Sequence, residues 1–239
     1  MRSMLRSIVA ATLLLLGSSI SANAASLRLA PTTLELFAPD SAAVLNLRNE
    51  AKYPLNVQVR VFRWIQQGGV EQLEPTSDVV ASPPSTSLPP NADYVVRILR
   101  VNKTPVKKEE SYRVVVDELP DPSRRKAGTV SLVVRHVIPV FFRTPDAGAP
   151  EVSWSLARSG GSLMLVARNA GGTTMRLSDV KLSQGGKAVA SRKGLVGYVL
   201  AGATMQWPIG SAKRLGGGPV KLTAQSASGP VNTGVSVGR

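Results

Sequence analysis

Between residues 55 and 63 the side chains change character at nearly every step. Leu55, Val57, Val59 and Val61 are apolar, while Asn56, Gln58 and Arg60 are polar. A repeat of two puts successive side chains on opposite faces of an extended chain, so this stretch reads as a strand with one buried face. The same pattern gives strands near 32–36, 42–48, 92–101, 112–118 and 130–142. Between them lie chain-reversing groups: Pro39-Asp40, Gly68-Gly69, Pro83-Pro84, Pro89-Pro90-Asn91 and Pro120-Asp121-Pro122. About seven short strands in roughly 120 residues, divided by such turns, predict an immunoglobulin-like β-sandwich.

The stretch from Thr144 to Pro150 (Thr-Pro-Asp-Ala-Gly-Ala-Pro) has the composition of a linker. A second series of alternating runs follows at 151–156, 162–168, 173–182, 187–190, 198–200, 205–209 and 220–225, before a glycine-rich end. Gly171-Gly172, Gly185-Gly186 and Gly216-Gly217-Gly218 punctuate them. The expectation is an all-β chain of two immunoglobulin-like sandwiches, at 25–146 and 147–239. Charge divides the same way. Residues 25–146 carry 16 basic and 13 acidic side chains, whereas 147–239 carry 11 basic and only Glu151 and Asp179 as acids.

The first 24 residues have three parts: basic Arg2 and Arg6, an apolar run from Ile8 to Leu16, and the small-residue site Ala22-Asn23-Ala24. That is the pattern of a cleavable export signal, and the apolar run is too short for a comfortable membrane span. With no Cys and a single His among 239 residues, there is no disulfide framework, no thiolate or histidine metal cage, and no cysteine nucleophile.

Catalysis finds few means. His136 lies inside the last expected strand of the first sandwich, where it reads as a half-buried strand histidine with a backbone partner. Asp117 and Glu118 are adjacent in a strand and point to opposite faces. Neither a phosphate-cradling glycine loop nor a dinucleotide fingerprint is present, so an enzyme is not expected and no cofactor is implied. The basic run Arg124-Arg125-Lys126 follows Pro122 as a solvated loop, and no aromatic residues interleave with it as a nucleic-acid stacking platform requires. The long apolar stretch 129–142 has two readings, a buried central strand or an edge strand offered to a partner. Pro139 within it cannot donate a ladder hydrogen bond and marks an edge.

In order and spacing, several segments resemble the first domain of the periplasmic PapD-like chaperones of the chaperone–usher pathway. They are Leu45-Asn46-Leu47-Arg48-Asn49, Val95-Val96-Arg97-Ile98, the run from Glu110 to Pro120, and the run from Arg135 to Phe142. Arg168-Asn169-Ala170-Gly171 and the run from Leu200 to Thr204 are similar to parts of the second domain. The resemblance implies a boomerang of two immunoglobulin-like domains in the periplasm, binding pilin or fimbrial subunits and handing them to an outer-membrane usher. It implies that the strand at about 129–142 is lent to the subunit through Val130, Leu132, Val134 and Ile138. An edge of this kind also allows the free chain to self-associate.

The resemblance further implies a basic pair anchoring the subunit's C-terminal carboxylate. Thr33 and Pro139 stand where the family carries Arg and Lys, which makes Arg113 and Arg135 the natural substitutes and places this chain nearer a divergent, non-classical branch. Arg97 and Glu110 fall at a structural charge pair of the family, with Arg214 where the second-domain acid belongs. Two other classes fit the composition: an exported fimbrial subunit or adhesin, and a basic module binding envelope polyanions.

Overall fold

Alternation decides where the first core forms. The computed structural model describes residues 27–121, 123, 128 and 133–238, and the export signal, the basic run Arg124-Arg125-Lys126 and the donor residues Val130 and Leu132 lie outside these. The described residues of the first half form the strands β1 (Leu27–Ala30), β2 (Leu34–Phe37), β3 (Ala42–Asn49), β4 (Leu55–Gln67), β5 (Val70–Pro75), β6 (Val79–Ser82), β7 (Ser85–Leu88), β8 (Asp93–Arg100), β9 (Glu109–Leu119) and β10 (Arg135–Arg143). One sheet has the order β1-β3-β8-β6, and the other β2-β10-β9-β4-β5 with β7 also on β4. Leu45 and Leu47 from the first sheet meet Val57, Val59, Val114 and Val116 from the second, all buried in one cluster. Each such side chain is worth about 1.5–3 kcal/mol of apolar burial.

Ile138 is 5% exposed and belongs to this same core, with Val140 and Phe142. Ile138, one of the residues expected to be lent to a partner, is packed into its own sandwich in the free chain. The described part of the last strand starts at Arg135.

The second half contains β11 (Val152–Ser159), β12 (Ser162–Asn169), β13 (Met175–Gln184), β14 (Lys187–Val199), β15 (Thr204–Ser211), β16 (Val220–Ser226) and β17 (Gly229–Val237). They follow one path, β14-β13-β16-β17-β11-β12-β15, curled so that its two end strands face each other. The contact is close: a Cβ on Gly197 of β14 would stand 2.6 Å from the Trp207 indole nitrogen on β15. The runs expected at 187–190 and 198–200 are one strand, joined through an irregular register. The glycine-rich end is strand β17.

The stretch with linker composition is packed. Ala147 is buried, the Thr173 hydroxyl donates to the Gly148 carbonyl at 2.9 Å, and a Cβ on Gly172 would fall 1.5 Å from the Ala147 carbonyl oxygen. Only glycine lets the two backbones approach this closely. The halves also meet directly. Trp64 and Phe141 from the first half form a cluster with Tyr198 and Leu200 from the second. The Gln66 side chain donates to Tyr198 O at 2.8 Å and accepts from Leu200 N at 2.9 Å.

Candidate binding cleft and strand edge

In the six-stranded sheet, one face of β4, β9 and β10 serves the first core, and the other looks toward the second half. On that outer face Arg113 lies opposite Phe62 on one side and Pro139 on the other. Two residues along β4, the Trp64 indole carries the Arg113 guanidinium, whose Cζ stands 3.5 Å above the ring centroid and 5.2 Å from that of Tyr198. The stacking gives a cation–π attraction and leaves the N–H edge free for acceptors in its plane. Arg113 is 9% exposed, and burial pulls its pKa below the usual arginine value. An arginine so placed stays protonated. Its guanidinium makes no hydrogen bond among the described residues, and its nearest acid is Glu71 Oε2 at 3.7 Å.

Arg113 opens onto a cleft of about 1020 Å³ between the two halves, which Thr33, Pro139, Tyr198 and Arg176 also line. Thr33 and Pro139, the positions the resemblance marks as lacking the customary cations, are thus at the cleft. Arg176, from β13, is exposed and has no ion pair among the described residues. Arg143 reaches the cleft too, but it is held by Glu109 at 2.5 Å and Glu35 at 3.2 Å.

Arg135 is not brought to Arg113. It shares the outer face but lies opposite Asp117, four residues along β9 from Arg113, a separation of about 13 Å. Its Nε contacts Asp117 Oδ1 at 2.5 Å, while Arg60 takes Oδ2 at 2.6 Å. Burial alone would raise the Asp117 carboxyl, but the hydrogen bonds from Arg135 and Arg60 outweigh it and hold the group below its ordinary value. Sequence reasoning placed both arginines on neighbouring strands and lacked the register that separates them.

The charge pair expected between Arg97 and Glu110 is also redrawn. Glu110 accepts two 2.8 Å hydrogen bonds from Arg100 and one from the Tyr112 hydroxyl, while Arg97 is exposed. The link between the halves belongs to the preceding residue. Glu109, its side chain wholly buried, accepts from the Thr174 backbone N–H at 3.0 Å, from the Thr174 hydroxyl and from Arg143. A neutral threonine thus does the work for which the sequence offered only Arg214, which lies exposed in a 3-10 turn at 212–214.

Beside the cleft, β10 has an open edge. On one side it pairs with β9 over its full length, but on the other β2 covers only Val140–Arg143. From Arg135 to Pro139 no described strand pairs with it on that side. Val133 and Val137 are 48% and 45% exposed, and Val134 is half-buried. His136 on this segment is half-buried with a backbone hydrogen bond to Leu27, as its isolation in the sequence implies, and burial lowers its pKa. Its Nε2 has no hydrogen-bond partner among the described residues.

The described site is thus a free strand edge that leads into a cleft holding a stacked arginine. Residues 26–148 match the model of the pili and flagellar-assembly chaperones, PapD N-terminal domain, and the chain belongs to this non-enzymatic family. It is similar to CsuC in the CsuC–CsuE chaperone–tip adhesion subunit pre-assembly complex from archaic chaperone-usher Csu pili of Acinetobacter baumannii. That match is 26% identical over 90% of this chain and 100% of that one, with a TM-score of 0.69. The fold is also that of the Salmonella enterica SafA pilin–SafB chaperone complex structure, 20% identical over 89% and 98% of the two chains with a TM-score of 0.62. The E. coli chaperone DraB matches at 22% identity over 87% and 95%, with a TM-score of 0.59. No curated protein sequence matches the chain.

Proposed function

We propose that this protein is a periplasmic chaperone that captures pilin or fimbrial subunits by strand addition along β10 and passes them to an outer-membrane usher. The observation that carries the reading is the uncovered edge from Arg135 to Pro139, ending at the level of Arg113. A subunit strand added there gains main-chain hydrogen bonds, and its apolar groove takes alternating side chains from the lending strand. Val130, Leu132 and Val134 are the residues proposed for that role.

Orientation follows from charge. β2 runs parallel to β10 and occupies the same edge from Val140 onward, so an added strand stops beside Thr33 and Pro139. A chain end at this point meets Arg113. A C-terminal carboxylate suits it, and an N-terminal ammonium would repel it. The guest strand is therefore parallel to β10, with its carboxylate on the guanidinium edge. A desolvated arginine lacking a close acceptor gains a charge-assisted, two-pronged hydrogen bond there. Arg176 adds a second positive charge, while Arg135, engaged by Asp117, contributes little.

Co-expression in the periplasm with a signal-bearing pilin tests this. The parent protein is expected to accumulate a 1:1 complex, Arg113→Ala to lower its yield at least about tenfold, as loss of a charged hydrogen bond does, and Arg135→Ala to change it far less. Equal recovery with the parent and Arg113→Ala overturns the anchor, and failure of the parent to protect any pilin overturns the function.

A further inference from the structure

The anion site at Arg113 is not left bare in the free chain. β5 hydrogen-bonds to β4 with Glu71 opposite Gln66, the residue that ties β4 to the second half. Trp64 and Gln66 share the outer face with Arg113, so the guanidinium extends across the indole toward the strand carrying Glu71. Glu71 Oε2 stops 3.7 Å from Arg113 Nη2, beyond hydrogen-bond distance, and 38% of the Glu71 side chain is open to solvent. Both residues line the cleft.

We infer that Glu71 is an internal counter-ion for the carboxylate site, occupying the field of Arg113 in the free protein and giving way when a bound chain delivers its own terminal carboxylate. This rests on the carboxylate anchor proposed above and adds what regulates it. The geometry explains both halves of the behaviour. A buried guanidinium with no acceptor is costly, and a nearby carboxylate offsets part of that cost. Yet without a hydrogen bond, and with the Glu71 carboxylate open to solvent and to screening by salt, the contact contributes little and Glu71 is displaced easily. A guest carboxylate in the guanidinium plane makes the two short hydrogen bonds that Glu71 does not. Glu71 thereby lowers the affinity for a guest carboxylate, which must displace it from the field of Arg113, while an amidated end does not compete for the guanidinium. The preference for a free chain end itself comes from Arg113.

The test uses the whole mature chain and two synthetic octapeptides alternating Thr and Val, one ending in a free carboxylate and the other in an amide. Binding is read from the Arg113 side-chain Nε–H signal by NMR at low salt. The parent is expected to prefer the carboxylate peptide. Glu71→Gln should tighten that peptide about three- to fivefold, the scale of one exposed ion pair, with the amide peptide binding no more tightly than before. Glu74→Gln, an equal charge change opposite Arg63 on the same strand, should shift either peptide less than about twofold. If the parent discriminates carboxylate from amide but Glu71→Gln leaves the carboxylate peptide unchanged or weaker, the counter-ion inference fails and the anchor stands. If the parent does not discriminate, or the Arg113 signal does not respond, the anchor fails and takes the inference with it.

Discussion

The two halves are closed by the same device, but their charges are arranged differently. In the first, Asn49 accepts from the N–H two residues on, at Ala51, and donates to the carbonyl four residues on, at Tyr53, and to Leu88 and Pro89. In the second, Asn169 accepts from Gly171 and Glu151 and donates to Thr173 and Val199. One buried amide in each half ties a turn to a distant strand end by four hydrogen bonds. The cations behave differently. Arg28, Arg48, Arg60, Arg63, Arg100, Arg113, Arg135 and Arg143 all reach acids in the first half. In the second, Arg176, Lys181, Lys187, Arg192, Lys193 and Lys221 have no ion pair among the described residues. Closure is an architectural need common to both sandwiches; paired charge belongs to the first half, where most of the acids are.

If that contrast is right, Asn49→Ala and Asn169→Ala should be the costliest changes and cost alike. Each should lose about 3 kcal/mol, as buried backbone groups are left without partners. Denaturant unfolding measures both, and a difference beyond about 2 kcal/mol would break the equivalence. Next in size is Glu109→Gln. It should cost roughly 2 kcal/mol, the scale of a hydrogen bond to a charged group, and separate the unfolding of the two halves, visible as transitions that no longer coincide between probes.

Acid should act through the first half. Glu110 is pulled up by burial but held below its ordinary value by Arg100 and Tyr112, and Asp117 behaves likewise with Arg135 and Arg60. A carboxylate depressed on folding stabilises fully above its unfolded pKa, near 4, and that contribution is lost as pH falls through the folded value. Thermal unfolding between pH 5 and pH 2 should show this loss, and Asp117→Asn should shrink it. The smallest effect is expected in the second half. Lys181 and Lys221 stand on one exposed face, and replacing both by Gln should change stability by less than about 0.5 kcal/mol. A larger loss would show that the unpaired cations carry structural weight.

Strands were legible where one face is buried. The alternation from Leu55 to Val61 marks β4 correctly because each side chain's fate depends on its own neighbours in sequence. β5 escaped because all six of its residues are exposed, which leaves no alternation to read. β17 escaped because glycine and proline weaken its pattern, although Val235 reaches the core. The cleft was half legible: of the two arginines that the sequence offered for it, Arg113 lines it and Arg135 is engaged by Asp117.

Local pattern was enough for the all-β class, the division into two series and the apolar strand that ends the first, since these depend on residues within a few positions of one another. Three pairings were beyond it: Arg113 on Trp64 and beside Glu71, Arg135 on Asp117, and Glu109 on Thr174. The last joins residues 65 positions apart. The physical reason is register. A shift of one residue between neighbouring strands turns a side chain to the other face, and a shift of four moves it about 13 Å. Only the assembled sheets select the shift, and with it the arginine that faces the cleft.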